Sequence, residues 1–229
     1  MSWAIKKRLG QFSNFVGQRK YLFILFYYFA ILFQFMLIES VITESNVRLW
    51  IDCPLDEYVP FLSIFVIPYL LWFPYIAATL TAVSIKGSRT EFLKFCLSLY
   101  AGMTLCFIIY LLVPNGQMLR VTIAPDDPNI FSRAVGMLYK NDTYTNVCPS
   151  IHVINSMVTN FAVQETEYFK DKPLIRHASN ILNILIIAST VFTKQHSVVD
   201  LAAGLAVSLL MHSVVCAWVG RKPKNHAAI

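Results

Sequence analysis

Long runs without a single charge, separated by short charged stretches, constrain this chain more than any other feature. No Asp, Glu, Lys or Arg occurs from Tyr21 to Ile38, from Val59 to Ile85, from Phe95 to Leu119 or from Leu201 to Gly220. A soluble domain carries about 25% charged residues, whereas this chain has 14% charged and 56% hydrophobic. Each run is near the ~20 residues a helix needs to cross hydrocarbon. Six spans are predicted, at about 21–43, 60–84, 93–113, 149–166, 177–194 and 196–218. The expected fold class is therefore all-α, a polytopic six-transmembrane-helix bundle. A chain of 229 residues leaves room for one such unit, over 21–219, with a basic tail at 220–229.

Basic residues set the expected orientation. Most of the 19 Lys and Arg fall in the N-terminal arm, at 85–94 (Lys86, Arg89, Lys94), at 166–177 (Lys170, Lys172, Arg176) and at the C-terminus (Arg221, Lys222, Lys224). With both termini in the cytoplasm, all of these lie inside, as the positive-inside rule requires. Arg48, Arg120, Arg133, Lys140 and Lys194 remain outside and are unexplained by topology. Because the basic residues flank apolar segments, the net charge of +6 points to a membrane and not to nucleic acid.

Residues 1–20 place Ile5, Leu9, Phe12 and Val16 at helical spacing among basic residues, the pattern of an amphipathic arm on the cytoplasmic membrane surface. Pro68 and Pro74 predict a kink in the second span. The longest connection, about 114–148, lies outside. Within it Asp126 and Asp127 sit in a Pro-flanked turn, and Ile130, Phe131, Ala134, Val135 and Leu138 are spaced as a short amphipathic helix. The five cysteines include no CxxC pair, so the sequence offers no thiolate metal motif. Cys53 and Cys148 fall in different outer loops, where a disulfide is one possibility. His212 reads as a packed or hydrogen-bonded residue, and His177 and His226 lie at loop ends.

The chemistry-bearing residues are the polar ones inside apolar segments. His152, Asn155, Ser156 and Thr159 make one stripe on the fourth span. Asn180, Asn183, Thr190 and Lys194 share a face of the fifth. Such stripes face the bundle interior, and interhelical hydrogen bonding accounts for Asn155, Ser156, Asn180 and Asn183. His196 and Asp200 stand four apart at the start of the sixth span, so their side chains meet. An aspartate holding one imidazole nitrogen leaves the other as an outward lone pair, the arrangement of a general base or a histidine nucleophile. The same pair could also serve as a buried link between helices. Topology then brings Ser150, His152, Lys194, His196, Asp200 and Arg120 to one leaflet. Two histidines, a carboxylate and two cations suit phosphoryl transfer, in which charge stabilisation is the main demand. Neither a metal nor another cofactor is required by this set.

These residues resemble the motifs of the type 2 phosphatidic acid phosphatase superfamily, relatives of the vanadium haloperoxidases. Its motifs are Lys-x6-Arg-Pro, Pro-Ser-Gly-His and Ser-Arg-x5-His-x3-Asp. The second appears as Pro149-Ser150-Ile151-His152, the third as Ser189-Thr190 followed by His196 and Asp200, and the first as Arg120 alone. The resemblance implies that His196 is the nucleophile, that Asp200 orients it and that His152 is the general acid. Arg120 and the Ser150–Ile151 segment would hold phosphate oxygens. Val113, Val121, Ile151 and Thr190 replace the family's Lys, Pro, Gly and Arg. Lys194 is the expected substitute cation, one turn beyond Thr190.

The expected function is a metal-independent lipid phosphatase. It would act on a lipid phosphate or diphosphate at the outer face of the plasma (cytoplasmic) membrane, through a phosphohistidine. A headgroup phosphotransferase of sphingolipid-synthase type is the alternative. An inactive relative that binds lipid phosphates is the third.

Overall fold

The computed structural model describes residues 24–220. The arm predicted over 1–20 and the basic residues of the tail lie outside the described residues. The helices are α1 Tyr27–Val41, α2 Leu55–Tyr58, α3 Val66–Lys86, α4 Arg89–Leu112, α5 Ile130–Asn141, α6 Ile151–Glu165, α7 Glu167–Lys170, α8 Pro173–Phe192 and α9 Val198–Val219. The only strands among the described residues, β1 Leu49–Trp50 and β2 Asn115–Gly116, form one short parallel pair.

The chain is all-α, and five helical stretches are long and apolar enough to cross a membrane: Ile24–Val41, Ser63–Lys86, Arg89–Leu112, Pro173–Phe192 and Val198–Val219. The fourth predicted span forms α6, which has 15 residues. At ~1.5 Å per residue it is about 22 Å long, shorter than the ~30 Å hydrocarbon. Its position explains its composition, because α6 packs against α3, α4, α8 and α9 and forms the centre of the bundle. Ile154, Val158 and Ala162 of α6 join Phe92, Phe95, Leu99 and Phe107 of α4 in one apolar core. Phe29, Phe33, Leu70, Ile181 and Leu209 face outward from the other long helices, an apolar exterior that suits lipid.

Ser156, Asn160 and Gln164 of α6 bond across to α8, whereas Thr159 donates back to Asn155 O in its own helix and Asn155 Oδ1, expected to bond between helices, has no partner among the described residues. Ser156 donates to Asn183 Oδ1 at 2.7 Å, and Gln164 donates to Asn180 Oδ1 at 3.0 Å. Ser179 of α8 donates to Asn160 at 2.8 Å and shares a 2.6 Å hydrogen bond with Tyr75 of α3. These contacts lock the angle between helices that have no hydrophobic drive to associate inside lipid.

Helix ends place the site. Ser150 caps α6 and Ser197 caps α9, each accepting from a first-turn N–H. The two capped ends meet, with Ser150 N donating to Asp200 O at 3.2 Å. Gly204 permits this approach, since a Cβ there would stand 2.9 Å from Val153 Cβ and 3.0 Å from Ser150 O.

The connection between α4 and α6 folds over that junction. Asn115 binds it from both sides: its amide donates to Val113 O and Cys148 O, each at 3.0 Å, and its carbonyl accepts from Val147 N and Cys148 N. Within the connection α5 is short and amphipathic, with Val135 fully buried and Ile130 and Met137 exposed. Cys53 and Cys148 are both free thiols, so the possible disulfide between them is not formed.

Candidate active site

The turn between α8 and α9 carries the first candidate group. Helix α8 ends at Phe192 and α9 begins at Val198, so Lys194 and His196 stand in a turn and not on helices. The expectation that α8 continues to Lys194 is corrected here. Lys194 has φ 56°, the left-handed region that ends a helical path. The turn closes through Thr190, whose carbonyl accepts from both Gln195 N and His196 N at 3.0 Å.

His196 and Asp200 meet, by a different route from an i,i+4 helical pair. Asp200 is the third residue of α9, and its Oδ2 accepts from Ser197 N at 2.9 Å in a capping box. The same oxygen lies 3.2 Å from His196 Nδ1. One carboxylate therefore both starts the helix and holds the ring. His196 Nε2 lies 3.4 Å from Nδ1 of His152 on the first turn of α6. With Asp200 accepting from Nδ1–H, Nε2 keeps its lone pair, and His152 Nδ1–H is the donor facing it. His196 is 7% exposed and Asp200 fully buried.

The His152 ring lies against two aromatic rings of α3, Tyr69 at 4.7 Å and Trp72 at 4.6 Å between centroids. They pack against the ring and help to set its position. Trp72 Nε1 is buried and has no hydrogen-bond partner among the described residues. Cys148 stands beside Asp200, and burial together with that carboxylate pushes its thiol up to about 12.

A second carboxylate, which sequence reasoning missed, braces the turn. Asp56 of the one-turn helix α2 accepts from Ser197 Oγ at 2.7 Å, Val198 N at 2.8 Å and Cys53 N at 2.8 Å. Burial raises its carboxyl, but these hydrogen bonds outweigh burial and hold it below the ordinary value. Lys194 Nζ donates to Asp56 O at 2.8 Å. The structure thus brings Lys194 to the brace of the turn.

Arg120 is likewise engaged. Nη1 donates to Tyr139 O and Asp142 O at 3.0 and 2.8 Å, and Nη2 to Thr143 O and Gln195 Oε1 at 2.7 and 2.6 Å. Its buried Nε has no partner among the described residues. Through Gln195 the guanidinium is one residue from His196. Asp142 completes the group: burial holds its carboxyl above the ordinary value, against the smaller downward pull of His196, Arg120 and the 3.3 Å hydrogen bond from Tyr69. Gln117 supports the same turn, donating to Lys194 O and Gln195 O at 3.2 and 3.3 Å.

All the predicted site residues thus lie around one junction: Ser150, Ile151 and His152 at the start of α6, His196 and Asp200 at the start of α9, Lys194 in the turn before His196 with its ammonium on Asp56, and Arg120 tied to Gln195. Asp56, Gln117, Gln195 and Asp142 were not anticipated. The available signal was slight: Gln117 and Gln195 are polar residues near predicted span ends, and Asp56 looks like any loop aspartate until the fold places it on Ser197. No family model matches the chain, and no similar curated protein or solved structure is found.

Proposed function

We propose that this chain is an integral membrane phosphoryl-transfer enzyme with six spans and cytoplasmic termini, acting on a lipid phosphate or diphosphate at the outer face of the plasma membrane. The observation that carries the proposal is the buried line Asp200–His196–His152, with contacts of 3.2 and 3.4 Å. Asp200 fixes the tautomer and stabilises the charged ring, as an orienting carboxylate does. The His196 Nε2 lone pair attacks phosphorus. The P–O bond to the lipid alcohol breaks, and the leaving oxygen takes a proton from the imidazolium form of His152, which becomes neutral. Water then gives a proton to His152 and attacks phosphorus, the P–N bond breaks, and inorganic phosphate leaves.

Two features of the surroundings suit an anion. The N-termini of α6 and α9 converge on the histidines, and helix N-termini favour negative charge. Ser150 and Ile151 open α6, and Arg120 adds its charge and one uncommitted N–H. Lys194 acts on the phosphate through the position of the turn it braces.

The gap between the histidines must widen during turnover. Reacting atoms approach to about 3–3.5 Å before transfer. A phosphoryl group between His196 Nε2 and the leaving oxygen therefore does not fit while Nε2 and His152 Nδ1 are 3.4 Å apart. The phosphotransferase reading shares the first half of this mechanism and replaces water by a lipid alcohol. Val113 and Thr190, standing where the motifs it resembles carry Lys and Arg, motivate the other alternative, a relative that binds lipid phosphate without turnover.

The test is phosphate release from a panel of lipid phosphates in the presence of chelator, with wild type and His196→Ala. Release abolished by the substitution is the expected result. Headgroup exchange onto an added alcohol without release assigns the transferase. Equal inertness of both proteins overturns the enzyme reading.

A further inference from the structure

At the end of the bundle away from His196, three potential metal ligands from two helices converge. Glu165 closes α6, thirteen positions beyond His152, or roughly 20 Å along the helix at ~1.5 Å per residue. His212 and Cys216 lie four apart on α9, one turn, so they share a face. Glu165 Oε1 is 2.8 Å from His212 Nε2, Cys216 Sγ is 3.5 Å from the same nitrogen, and the three ligand atoms all lie within 4.8 Å of one another.

Hydrogen bonding alone leaves this cluster incomplete. An imidazole nitrogen carries either a proton or a lone pair. As a donor, Nε2 serves Glu165 and offers nothing to the Cys216 S–H. As a lone pair, it accepts from Cys216 and meets the Glu165 carboxylate without a proton between them. A cation among the three atoms uses all three lone pairs at once. The two edges at His212 Nε2, 2.8 and 3.5 Å, are close to those between ligands held about 2.0–2.3 Å from one ion, the bond lengths of zinc.

The surroundings complete such a site. Ser98 Oγ lies 3.4 Å from His212 Nδ1, and the Phe161 ring packs on the imidazole at 4.5 Å, so the ring is held from its far side. Beside the cluster a cavity of about 40 Å³, lined by Lys94, Thr166, Glu165 and His212, leaves space for a water as fourth ligand and a route of entry. Glu91 lines the same cavity, but its carboxylate is committed to Glu167 N at 2.7 Å and Ser88 N at 2.6 Å.

We infer that Glu165, His212 and Cys216 form a three-ligand site for a soft divalent cation of the zinc type, which clips the far ends of α6 and α9 together. The mixed thiolate–imidazole–carboxylate set selects zinc over magnesium or calcium, which prefer all-oxygen sites. The site stands at the other end of α6 and α9 from the histidines proposed to transfer phosphate. In the orientation proposed above it faces the cytoplasm.

The experiment uses the full-length protein in detergent, stripped with chelator and titrated with Zn²⁺ by equilibrium dialysis and with Co²⁺ by absorbance. One ion per chain is expected, with a thiolate-to-cobalt charge-transfer band. Cys216→Ser should remove that band, and His212→Ala should weaken zinc binding by at least tenfold, while Cys53→Ser leaves both unchanged. Glu165→Gln guards against misfolding as a cause. Its carbonyl still accepts from His212 and keeps the helices linked, yet it is a poor zinc ligand, so it should bind zinc more weakly while melting like the metal-free wild type. No bound zinc in the wild type, or binding indifferent to His212→Ala and Cys216→Ser, overturns the assignment.

Discussion

The Ser197 hydroxyl donates to the Asp56 carboxylate at 2.7 Å across 141 positions of sequence. This contact joins the loop before the second span to the cap of the last helix. It sits next to His196, so the register of the candidate nucleophile depends on a residue far away in the chain.

Asp56→Ala leaves Ser197 Oγ, Val198 N and Cys53 N without their acceptor. An unsatisfied buried donor costs about 1–3 kcal/mol. A clear drop in melting temperature is expected, together with a fall in kcat greater than any rise in KM. A variant with wild-type turnover would show that Asp56 does not position the turn.

The same carboxyl makes stability depend on pH. Its folded value lies below the ordinary value of 3.8, so the folded state binds this proton less readily than the unfolded chain. Its contribution is therefore full above about pH 4 and is lost as pH falls through the lower folded value. Chemical unfolding of wild type between pH 6 and 3 should lose more stability than that of Asp56→Asn. Parallel curves would remove Asp56 from the acid response.

Asp200→Asn keeps the side-chain shape but exchanges an acceptor for an amide beside His196 Nδ1 or Ser197 N. The wrong tautomer then faces the substrate. Turnover should fall on the order of 10²–10⁴-fold, the scale seen when an orienting carboxylate is lost. His196→Ala should abolish phosphorylation of the protein by a labelled lipid phosphate, whereas His152→Ala should let a phosphohistidine accumulate from a substrate with a good leaving group.

Lys194→Ala separates bracing from phosphate contact. Its ammonium reaches Asp56 O at 2.8 Å, so the expected result is a lower melting temperature with vanadate inhibition within about twofold of wild type, well under the 1.4 kcal/mol that a tenfold change represents. Vanadate inhibition weakened tenfold or more would place the ammonium on the phosphate.

Gly204→Ala tests the approach of α9 to α6. The added methyl meets Val153 Cβ at 2.9 Å and Ser150 O at 3.0 Å, and neither belongs to a flexible side-chain end. Overpacking of this kind costs about 1–3 kcal/mol. Because Ser150 N donates to Asp200 O at this contact, separating the helices should also lower turnover. Unchanged stability and activity would mean that the junction is slack.

Much of this protein is legible along the chain because the bilayer imposes a length and a polarity on each span. Uncharged runs marked the helices, and the Ser150 and Ser197 caps lie where apolar runs begin. The His196–Asp200 pair is legible because four residues bring side chains together in a helix, and a capping box preserves that proximity. The tertiary structure alone decided what surrounds the pair. Lys194 departs from the expected helical face because α8 ends two residues before it. The terminal nitrogens of Arg120 meet carbonyls from 139–143 and the amide of Gln195, contacts with no sequence periodicity. Asp56 and Asp142 are ordinary loop aspartates until folding sets them against Ser197 and Tyr69. Periodicity reports which face of a helix is apolar. Contacts between loops depend on where the helices that carry them end in space, and that is settled only when α6 is packed at the centre and the starts of α6 and α9 touch.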